Sequence, residues 1–331
     1  MSQEHSTSTA STTATTPVRD GDGGAGASGR GHRERLHRFL RAVLSRWPMK
    51  RGAAWMNRRL DRFFEGRDPN WLLAPGQGDW PTMELDVAVN LQRKFFYFPK
   101  VYGRFYGGAA FRRFLEQTLR PGSRFLDIGA NVGFFSLMAA RLVGPTGRVY
   151  AFEPEPRIFE ALARSARVNG YEQLQAFQLA LSDREDELAF YRARDGTASS
   201  LVPEAPGREA RYERTLTARV TSLDRLVAEG KLDISGLTAI KVDVEGEEVR
   251  TVAGMRESLA AAGYPPIWCE VRGPADGPGA STRAPNTYPG VRALLEPLGY
   301  RPFRWAEGDR VPITDAEVTG RADVLFERVS K

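Results

Sequence analysis

The amino-acid sequence predicts an α/β protein with a mostly parallel sheet of seven strands and helices on both faces. Short apolar runs alternate with amphipathic helical segments from residue 110 onward, which is the pattern of repeated strand–helix units. The run 124–128 leads through a glycine-containing turn, residues 129–133, into the helical segment 134–142. Such a turn is typical of doubly wound folds, in which ligands bind beyond the carboxyl ends of the strands.

Each element follows from the periodicity of its apolar residues. Strands are predicted at 124–128, 148–152, 174–180, 239–244, 267–271, 301–305 and 323–328, and a hairpin with arms at 188–191 and 216–221 and a polar loop between them is predicted as well. Helices are predicted at 110–119, 134–142, 156–169, 223–229, 247–262 and 290–298. Glycine follows several of these helices, as expected at helix ends. The last two strands would close the sheet.

Three regions are predicted along the chain. Residues 1–31 are rich in Ser, Thr, Gly and Ala and lack an apolar run, which predicts a disordered tail. Residues 32–109 form an N-terminal helical extension, with a basic amphipathic helix at 32–47 followed by an aromatic-rich cap. The basic helix either packs on protein or makes a peripheral membrane contact. The cap either covers the pocket or only packs on the core. Residues 110–331 form the main domain.

The composition narrows the function classes. The net charge is +6, but residues 1–60 hold eleven Arg or Lys against four Asp or Glu, so the rest of the chain is close to neutral. A nucleic-acid enzyme usually carries a basic face around its site, so this distribution argues against a nucleic-acid partner. No run of 18 apolar residues predicts a membrane span, and the single Cys269 predicts neither a disulfide framework nor a cysteine metal site. We expect a cytoplasmic protein, and its oligomeric state stays open.

The glycine-containing turn predicts the type of cofactor. A dinucleotide site needs G-x-G-x-x-G, whereas residues 129–133 read G-A-N-V-G. Asp127, just before the turn, would repel a phosphate but attract an ammonium group. Glu153, at the end of the next strand, is placed for ribose hydroxyls. These features favour S-adenosylmethionine, which has an amino-acid tail, a ribose and no phosphate. The predicted cofactor residues are Asp127, Gly129, Ala130, Asn131, Gly133 and Glu153.

Acidic residues also stand at the carboxyl ends of later strands. The three histidines lie at positions 5, 32 and 37, so a general base in the main domain would be a carboxylate, a tyrosine or a lysine unless the N-terminal helix folds over the pocket. We predict Asp243, Glu245 and Glu270 as catalytic residues. Two alternatives stay open: Asp243 and Glu245 cap the following helix, or the acids hold Mg²⁺. The sequence does not decide whether a metal is needed.

Five motifs resemble those of the FkbM-type methyltransferases. They are D-I-G-A-N-V-G at 127–133, A-F-E-P at 151–154, A-L-S-D at 180–183, T-S-L-D at 221–224 and I-K-V-D-V-E-G-E-E at 240–248. The resemblance covers residues 121–331. It implies a Rossmann-like class I methyltransferase fold and methyl transfer from S-adenosylmethionine to a hydroxyl of a sugar, polyketide or similar small molecule. It also implies that Asp183 binds the adenine edge, although Asp183 could instead cap a polar turn.

Two other functions stay open at this point. One is an N-methyltransferase acting on nucleic acid or protein, and the other is a non-catalytic scaffold that retains the fold. A nucleic-acid amino methylase would be expected to carry an Asn- or Asp-Pro-Pro-aromatic loop after the fourth strand, which positions a flipped base. Residues 243–246 read D-V-E-G at that place. The sequence therefore favours O-methylation over these alternatives.

Overall fold

The computed structural model describes residues 27–45, 50–64, 71–76, 80–97, 109–193, 201, 212–274 and 286–329. The chain divides into two compact units, residues 1–40 and 41–331. Helix α1 (Ala27–Leu44) accounts for the described part of the first unit and begins five residues before the predicted tail ends. The predicted tail included the first residues of α1. A helix that has formed extends by further residues at low cost, because nucleation is its unfavourable step. Residues 1–26 and Trp47 lie outside the described residues.

The second unit contains an N-terminal extension and the main domain. The extension comprises α2 (Lys50–Phe64), β1 (Trp71–Ala74), β2 (Met83–Asp86) and α3 (Asn90–Tyr97). The main domain comprises α4 (Ala109–Thr118), β3 (Arg124–Ile128), α5 (Phe134–Val143), β4 (Arg148–Phe152), α6 (Pro156–Val168), β5 (Leu174–Phe177), β6 (Ala180–Leu181), β7 (Asp186–Ala193), β8 (Tyr212–Thr221), α7 (Leu223–Ala228), β9 (Leu237–Val242), α8 (Glu248–Ala253), α9 (Arg256–Ala261), β10 (Ile267–Arg272), α10 (Tyr288–Leu295), β11 (Tyr300–Ala306), β12 (Asp309–Pro312) and β13 (Arg321–Arg328).

The main sheet confirms the predicted fold class. Its strand order is β12-β11-β13-β10-β9-β3-β4-β5. The strands β5, β4, β3, β9 and β10 run parallel, and β13 pairs antiparallel with both of its neighbours. The sheet has eight strands where seven were predicted, because Glu307 and Gly308 take positive φ angles and form a tight hairpin turn that adds β12.

Two predicted elements of the main domain are divided in the structure. The predicted strand 174–180 ends at Phe177, and Ala180–Leu181 pairs instead with β8 in a small sheet of order β6-β8-β7. The predicted helix 247–262 is broken into α8 and α9 at Gly254. A Cβ added to Gly254 would lie 2.0 Å from the Ser182 carbonyl oxygen, so this glycine marks a close approach of two backbones.

The N-terminal extension contains a hairpin that was not predicted. Strands β1 and β2 pair antiparallel over four residues each. The hairpin docks on α6, where the Glu84 amide donates to Ser165 Oγ at 2.8 Å and the Thr82 amide donates to Asn169 Oδ1 at 3.0 Å. The ring of Phe95, on α3, contacts Phe134 of α5 with 4.8 Å between centroids. The extension therefore packs on the main domain close to the glycine-containing turn. None of the described helices has an apolar stretch long enough to cross a bilayer.

Alternation along the central strands separates an apolar face of the sheet from a charged one. Leu126, Ile128, Ile240, Val242 and Cys269 belong to the buried apolar cluster. Side chains of a strand point alternately to opposite faces, so the residues between them face the other way. That second face carries charged residues at the carboxyl ends of the strands, and it is where the candidate site lies.

Candidate active site

The glycine-containing turn is held by its neighbouring strands. The amides of Gly129 and Ala130 both donate to the Phe152 carbonyl, at 3.0 and 2.9 Å. Gly129 has a φ of +80°, and an added Cβ would lie 1.8 Å from the Asp243 carbonyl oxygen. A glycine in such a turn can let the backbone approach a ligand closely. The structure gives a different reason at Gly129, because the close neighbour is the end of the adjacent strand.

Glu153 is tied to the same turn. Its Oε2 accepts a hydrogen bond from the Asn131 amide and its Oε1 accepts one from the Glu155 amide, both at 2.9 Å. The side chain is buried, and burial raises the pKa of Glu153 to about 7. The Asn131 amide is thus already bound to the Glu153 carboxylate. In a dinucleotide site, an amide of this turn would instead bind the diphosphate. This geometry favours a cofactor without phosphate.

Asp127 is paired inside the protein. It is completely buried; its Oδ2 accepts from Ser136 Oγ at 2.6 Å, and its Oδ1 lies 3.4 Å from Lys241 Nζ. Lys241 Nζ also donates to the Gly129 carbonyl at 3.3 Å. The predicted direct contact between Asp127 and a cofactor ammonium group finds no support in this arrangement, since Lys241 already supplies the cation. Asp127 instead anchors the lysine beneath the turn.

Strand register explains why so many charges meet on one face. Residues paired directly across two strands share a face of the sheet. Asp127 pairs with Lys241, and Lys241 pairs with Trp268; farther along, Glu270 pairs with Asp323. With a period of two along each strand, the charged residues of this face near the carboxyl ends of the parallel strands include Asp127, Lys241, Asp243, Glu270, Arg272, Arg321 and Asp323.

Glu245 is fixed by two arginines. Arg272 Nη2 lies 2.9 Å from its Oε2, and Arg321 Nη2 lies 2.7 Å from its Oε1. The backbone of Glu245 has a φ of +51°, an uncommon conformation for a residue with a side chain. The two ion pairs turn this loop residue back onto the strand ends. Glu245 therefore anchors the loop after β9.

Glu270 and Asp243 differ in their partners. Glu270 Oε1 lies 2.5 Å from Arg321 Nε, and burial together with the neighbouring charge of Asp243 raises the pKa of Glu270 to about 8. Asp243 Oδ2 lies 3.2 Å from Lys241 Nζ, and its side chain keeps 30% of its surface exposed. Asp243 is thus the most accessible of the three predicted catalytic carboxylates.

A cavity of about 310 Å³ joins these residues to the turn. Its volume falls within the range of small-molecule sites. The extension contributes Val89 and Gln92, and the β7–β8 segment contributes Phe190. The wall also includes Gly129, Ala130, Asn131, Phe134, Phe135, Phe152, Glu153, Ile158, Leu179, Ala180, Leu181, Lys241, Asp243, Val244, Glu245, Glu247, Glu270 and Arg321. Besides Gly129, this one cavity therefore brings together six predicted cofactor and catalytic residues: Ala130, Asn131, Glu153, Asp243, Glu245 and Glu270.

Three predicted residues lie outside this wall: Asp127, Gly133 and Asp183. Gly133 is the N-cap of α5, and a Cβ there would lie 2.2 Å from a Leu162 methyl carbon. Asp183 is 43% exposed and lies 3.9 Å from Arg184 Nε, while the preceding residues 179–181 line the cavity. Its contact with adenine stays a prediction.

Sequence reasoning missed Lys241, Arg321 and Asp323 as site residues. Their signal was present, because charged residues alternate with apolar ones in the strands I-K-V-D-V, W-C-E-V-R and R-A-D-V-L-F. A strand buried on both faces of a parallel sheet normally reads as a continuous apolar run. Regular charges in such strands indicate a polar layer on one face.

Comparison with known families identifies the family of this chain. Residues 127–302 match the Methyltransferase FkbM domain, which is more than half of the chain. The chain belongs to this family. The resemblance inferred from the five motifs is confirmed. The matched region contains the glycine-containing turn, Glu153 and the charged strands from Lys241 to Arg272, but it ends before Arg321 and Asp323.

Two curated relatives match this chain over less than two thirds of their own length. The 31-O-demethyl-FK506 methyltransferase FkbM of Streptomyces tacrolimicus is 34% identical over 42% of this chain and 62% of its own. The hexuronic acid methyltransferase AglP of Haloferax volcanii is 26% identical over 46% of this chain and 58% of its own. A solved structure, methyltransferase FkbM from Methylobacillus flagellatus KT, aligns with a TM-score of 0.39 at 14% identity, over 65% of this chain and 50% of that one.

The same charges bear on the Mg²⁺ site that the sequence left open. One carboxylate oxygen each from Asp243, Glu245 and Glu270 lies within 4.8 Å of the others. Lys241, Arg272 and Arg321 already neutralise these three groups. The described residues of this FkbM-domain protein therefore give no support to a metal-dependent reaction.

Proposed function

We propose that this protein is an S-adenosylmethionine-dependent O-methyltransferase that acts on a hydroxyl of a small molecule, sugar or glycan. The observation that carries the proposal is the placement of Asp243. Arginines engage Glu245 and Glu270, whereas Asp243 is held by Lys241 at 3.2 Å and keeps 30% of its side chain exposed. A carboxylate held in place at the wall of a small-molecule cavity is suited to act as general base.

The cavity fits the methyl donor in two respects. Glu153 lines it with a carboxylate whose remaining lone pairs can accept ribose hydroxyls, and the Asn131 amide is not free for a phosphate. When bound, S-adenosylmethionine supplies a methyl group activated by a sulfonium.

Residues of this chain would then manage the proton. An acceptor hydroxyl gives its proton to an oxygen of Asp243 while its oxygen forms a bond to the methyl carbon. Bound S-adenosylmethionine would supply the methyl group and would leave as S-adenosylhomocysteine, with the electron pair of the carbon–sulfur bond on sulfur. Lys241 keeps Asp243 in position through their ion pair and carries no proton transfer, because the carboxylates around it raise its pKa. Such a base contributes about 10²–10⁴-fold to the rate.

The known relatives support a hydroxyl acceptor in a natural product or a sugar. One carries the name of a 31-O-demethyl-FK506 methyltransferase and another that of a hexuronic acid methyltransferase. We further propose a cytoplasmic location. The peripheral membrane contact predicted for residues 32–47 stays a hypothesis, and a vesicle-binding assay of the full chain with anionic lipid would test it.

Calorimetry tests the cofactor class. We expect S-adenosylmethionine and S-adenosylhomocysteine to bind and NAD⁺ not to bind. Binding of NAD⁺ without any response to the methyl donor would contradict the proposal.

Substitution of Asp243 tests the base. Transfer of a labelled methyl group to a panel of hydroxylated acceptors should fall by about a hundredfold or more in Asp243→Asn, because the placed base is lost. Its affinity for S-adenosylhomocysteine should stay unchanged. Glu257→Gln is the matched control, since it removes an exposed carboxylate of α9 that does not line the cavity. An Asp243→Asn enzyme with the parental rate would remove this residue from catalysis.

A further inference from the structure

A second cavity, of about 220 Å³, adjoins the first one at Asp243. Phe135, Lys241, Asp243 and Glu270 line both cavities. The second is completed by Phe111, Val242, Trp268 and Asp323. This second cavity lies between the charged face of the sheet and helix α4, which contributes Phe111. The two cavities thus meet at the residue that we propose as the base.

One wall of the second cavity is aromatic. The rings of Phe111 and Phe135 contact edge to face with 4.6 Å between centroids, and Phe111 and Trp268 lie 4.9 Å apart. Phe111 and Trp268 are almost completely buried. These rings pack against each other, which keeps their orientation fixed. Phe135 is half-buried, and its ring offers an apolar surface to the C–H groups of a ligand ring.

The other wall is made of carboxylates. Glu270 and Asp323 are paired directly across β10 and β13, and Asp243 follows β9 on the same face. The Trp268 side chain hydrogen-bonds Asp323 and links the two walls. A carboxylate accepts hydrogen bonds through both oxygens when it is ionised and keeps acceptor capacity when it is protonated, so this wall is complementary to hydroxyl donors. An aromatic surface opposite hydrogen-bond acceptors suits a ring that carries hydroxyl groups on its edge.

Charge limits the occupant further. Three carboxylates line this cavity with Lys241 as the cation among them, and Arg321 adds one more positive charge beside Glu270. Burial and the charge of Asp243 raise the pKa of both Glu270 and Asp323. This indicates that added negative charge is already unfavourable here. A ring bearing its own carboxylate would meet the same repulsion.

We propose that the second cavity is the acceptor subsite and takes one uncharged six-membered ring bearing hydroxyl groups, such as a hexose or cyclohexanediol unit. The assignment rests on the proposed function. The volume is below the usual range for drug-sized ligands, so it admits a single ring of a larger acceptor. Asp323 is then a specificity residue: it binds a ring hydroxyl and rejects acids, while Asp243 serves the reacting hydroxyl.

Saturation-transfer NMR on the full chain with S-adenosylhomocysteine tests this assignment. The probes are methyl α-glucopyranoside, methyl α-glucuronide and trans-cyclohexane-1,2-diol, each titrated to obtain a dissociation constant. For the wild type we expect the glucoside to bind about tenfold or more tightly than the glucuronide. Asp323→Asn should weaken the glucoside about tenfold and narrow that gap, because it removes a hydrogen-bond acceptor and a negative charge together.

Phe111→Leu separates shape from charge. It removes the ring against which Phe135 and Trp268 pack and alters no ionisable group, so it should weaken glucoside and glucuronide alike and preserve their ratio. The affinity for S-adenosylhomocysteine, measured on each variant, reports whether the fold is intact. Glu257→Gln again serves as the exposed control.

The outcomes distinguish a failure of the acceptor subsite from a failure of the proposed function. A glucoside preference that falls in Asp323→Asn at unchanged S-adenosylhomocysteine affinity supports the subsite. Two results with a wild type that binds S-adenosylhomocysteine overturn the subsite and leave the proposed function standing. In one, the glucuronide binds as tightly as the glucoside; in the other, neither the glucoside nor the cyclohexanediol binds. A wild type that does not bind S-adenosylhomocysteine overturns both.

Discussion

Replacing Lys241 with methionine should strongly destabilise this protein, because the lysine neutralises a buried carboxylate. Its side chain is 7% exposed, and that of Asp127 is 1% exposed. Methionine has a similar length and preserves packing, but it leaves Asp127 with Ser136 Oγ as its remaining hydrogen-bond donor. The substitution therefore tests charge compensation with little change in volume.

The expected magnitude follows from the geometry. For charges 3.4 Å apart, an effective dielectric constant of about 20 gives roughly 5 kcal/mol of attraction. Removing one partner of a buried ion pair typically costs about 3–5 kcal/mol. Asp243 adds little to this cost because it keeps 30% of its surface in water. We therefore expect the free energy of unfolding to fall by about 3–5 kcal/mol.

Urea unfolding followed by circular dichroism at neutral pH measures this effect. The double variant Asp127→Asn/Lys241→Met should recover most of the loss, because it removes both buried charges. Lys231→Met is the matched control: that lysine is 60% exposed and pairs with Glu229, so its loss should cost about 1 kcal/mol or less. A single variant within about 1 kcal/mol of the wild type, or a double variant as unstable as the single one, would refute the role of Lys241.

Two further predictions concern the turn and its acidic neighbour. Gly129→Ala should cost about 1–3 kcal/mol from overpacking on the Asp243 carbonyl plus about 1–2 kcal/mol from its positive φ, whereas Gly170→Ala, with open space and φ +67°, should cost only the second amount by the same urea assay. Glu153 loses its proton as the pH rises through about 7, and we propose that its carboxylate accepts the ribose hydroxyls. Calorimetry should then show S-adenosylhomocysteine binding several-fold more tightly at pH 8 than at pH 6. In Glu153→Gln the affinity should not follow pH over that range; an unchanged pH dependence in that variant would assign the titration to another group.

Particular residues show how far sequence reasoning reached. Turn chemistry and apolar periodicity located Gly129, Glu153 and Asp243 at strand ends, and the strand ends of a parallel sheet meet at one edge. The same reasoning treated each acid alone. It could not tell that Glu245 is bound by Arg272 and Arg321 while Asp243 is not, because these partners come from strands far apart in the chain.

The hairpin of the N-terminal extension and strand β12 were missed for a related reason. Both are short, and short strands are stabilised by what they pack against more than by their own residues. The β1–β2 hairpin depends on Ser165 and Asn169 of α6, and β12 depends on the turn at Glu307 and Gly308. Local patterns carry little information about such contacts.

The amino-acid order alone determined the fold class, the family and the edge of the sheet where chemistry belongs, because these depend on periodicity and on motifs read within a few residues. Tertiary structure alone decided which charge compensates which. Strand pairing set Lys241 between Asp127 and Asp243 and brought Arg321 from the last strand to Glu270. The free energy of a buried charge depends on its neighbours within a few ångströms, and strand register sets those neighbours.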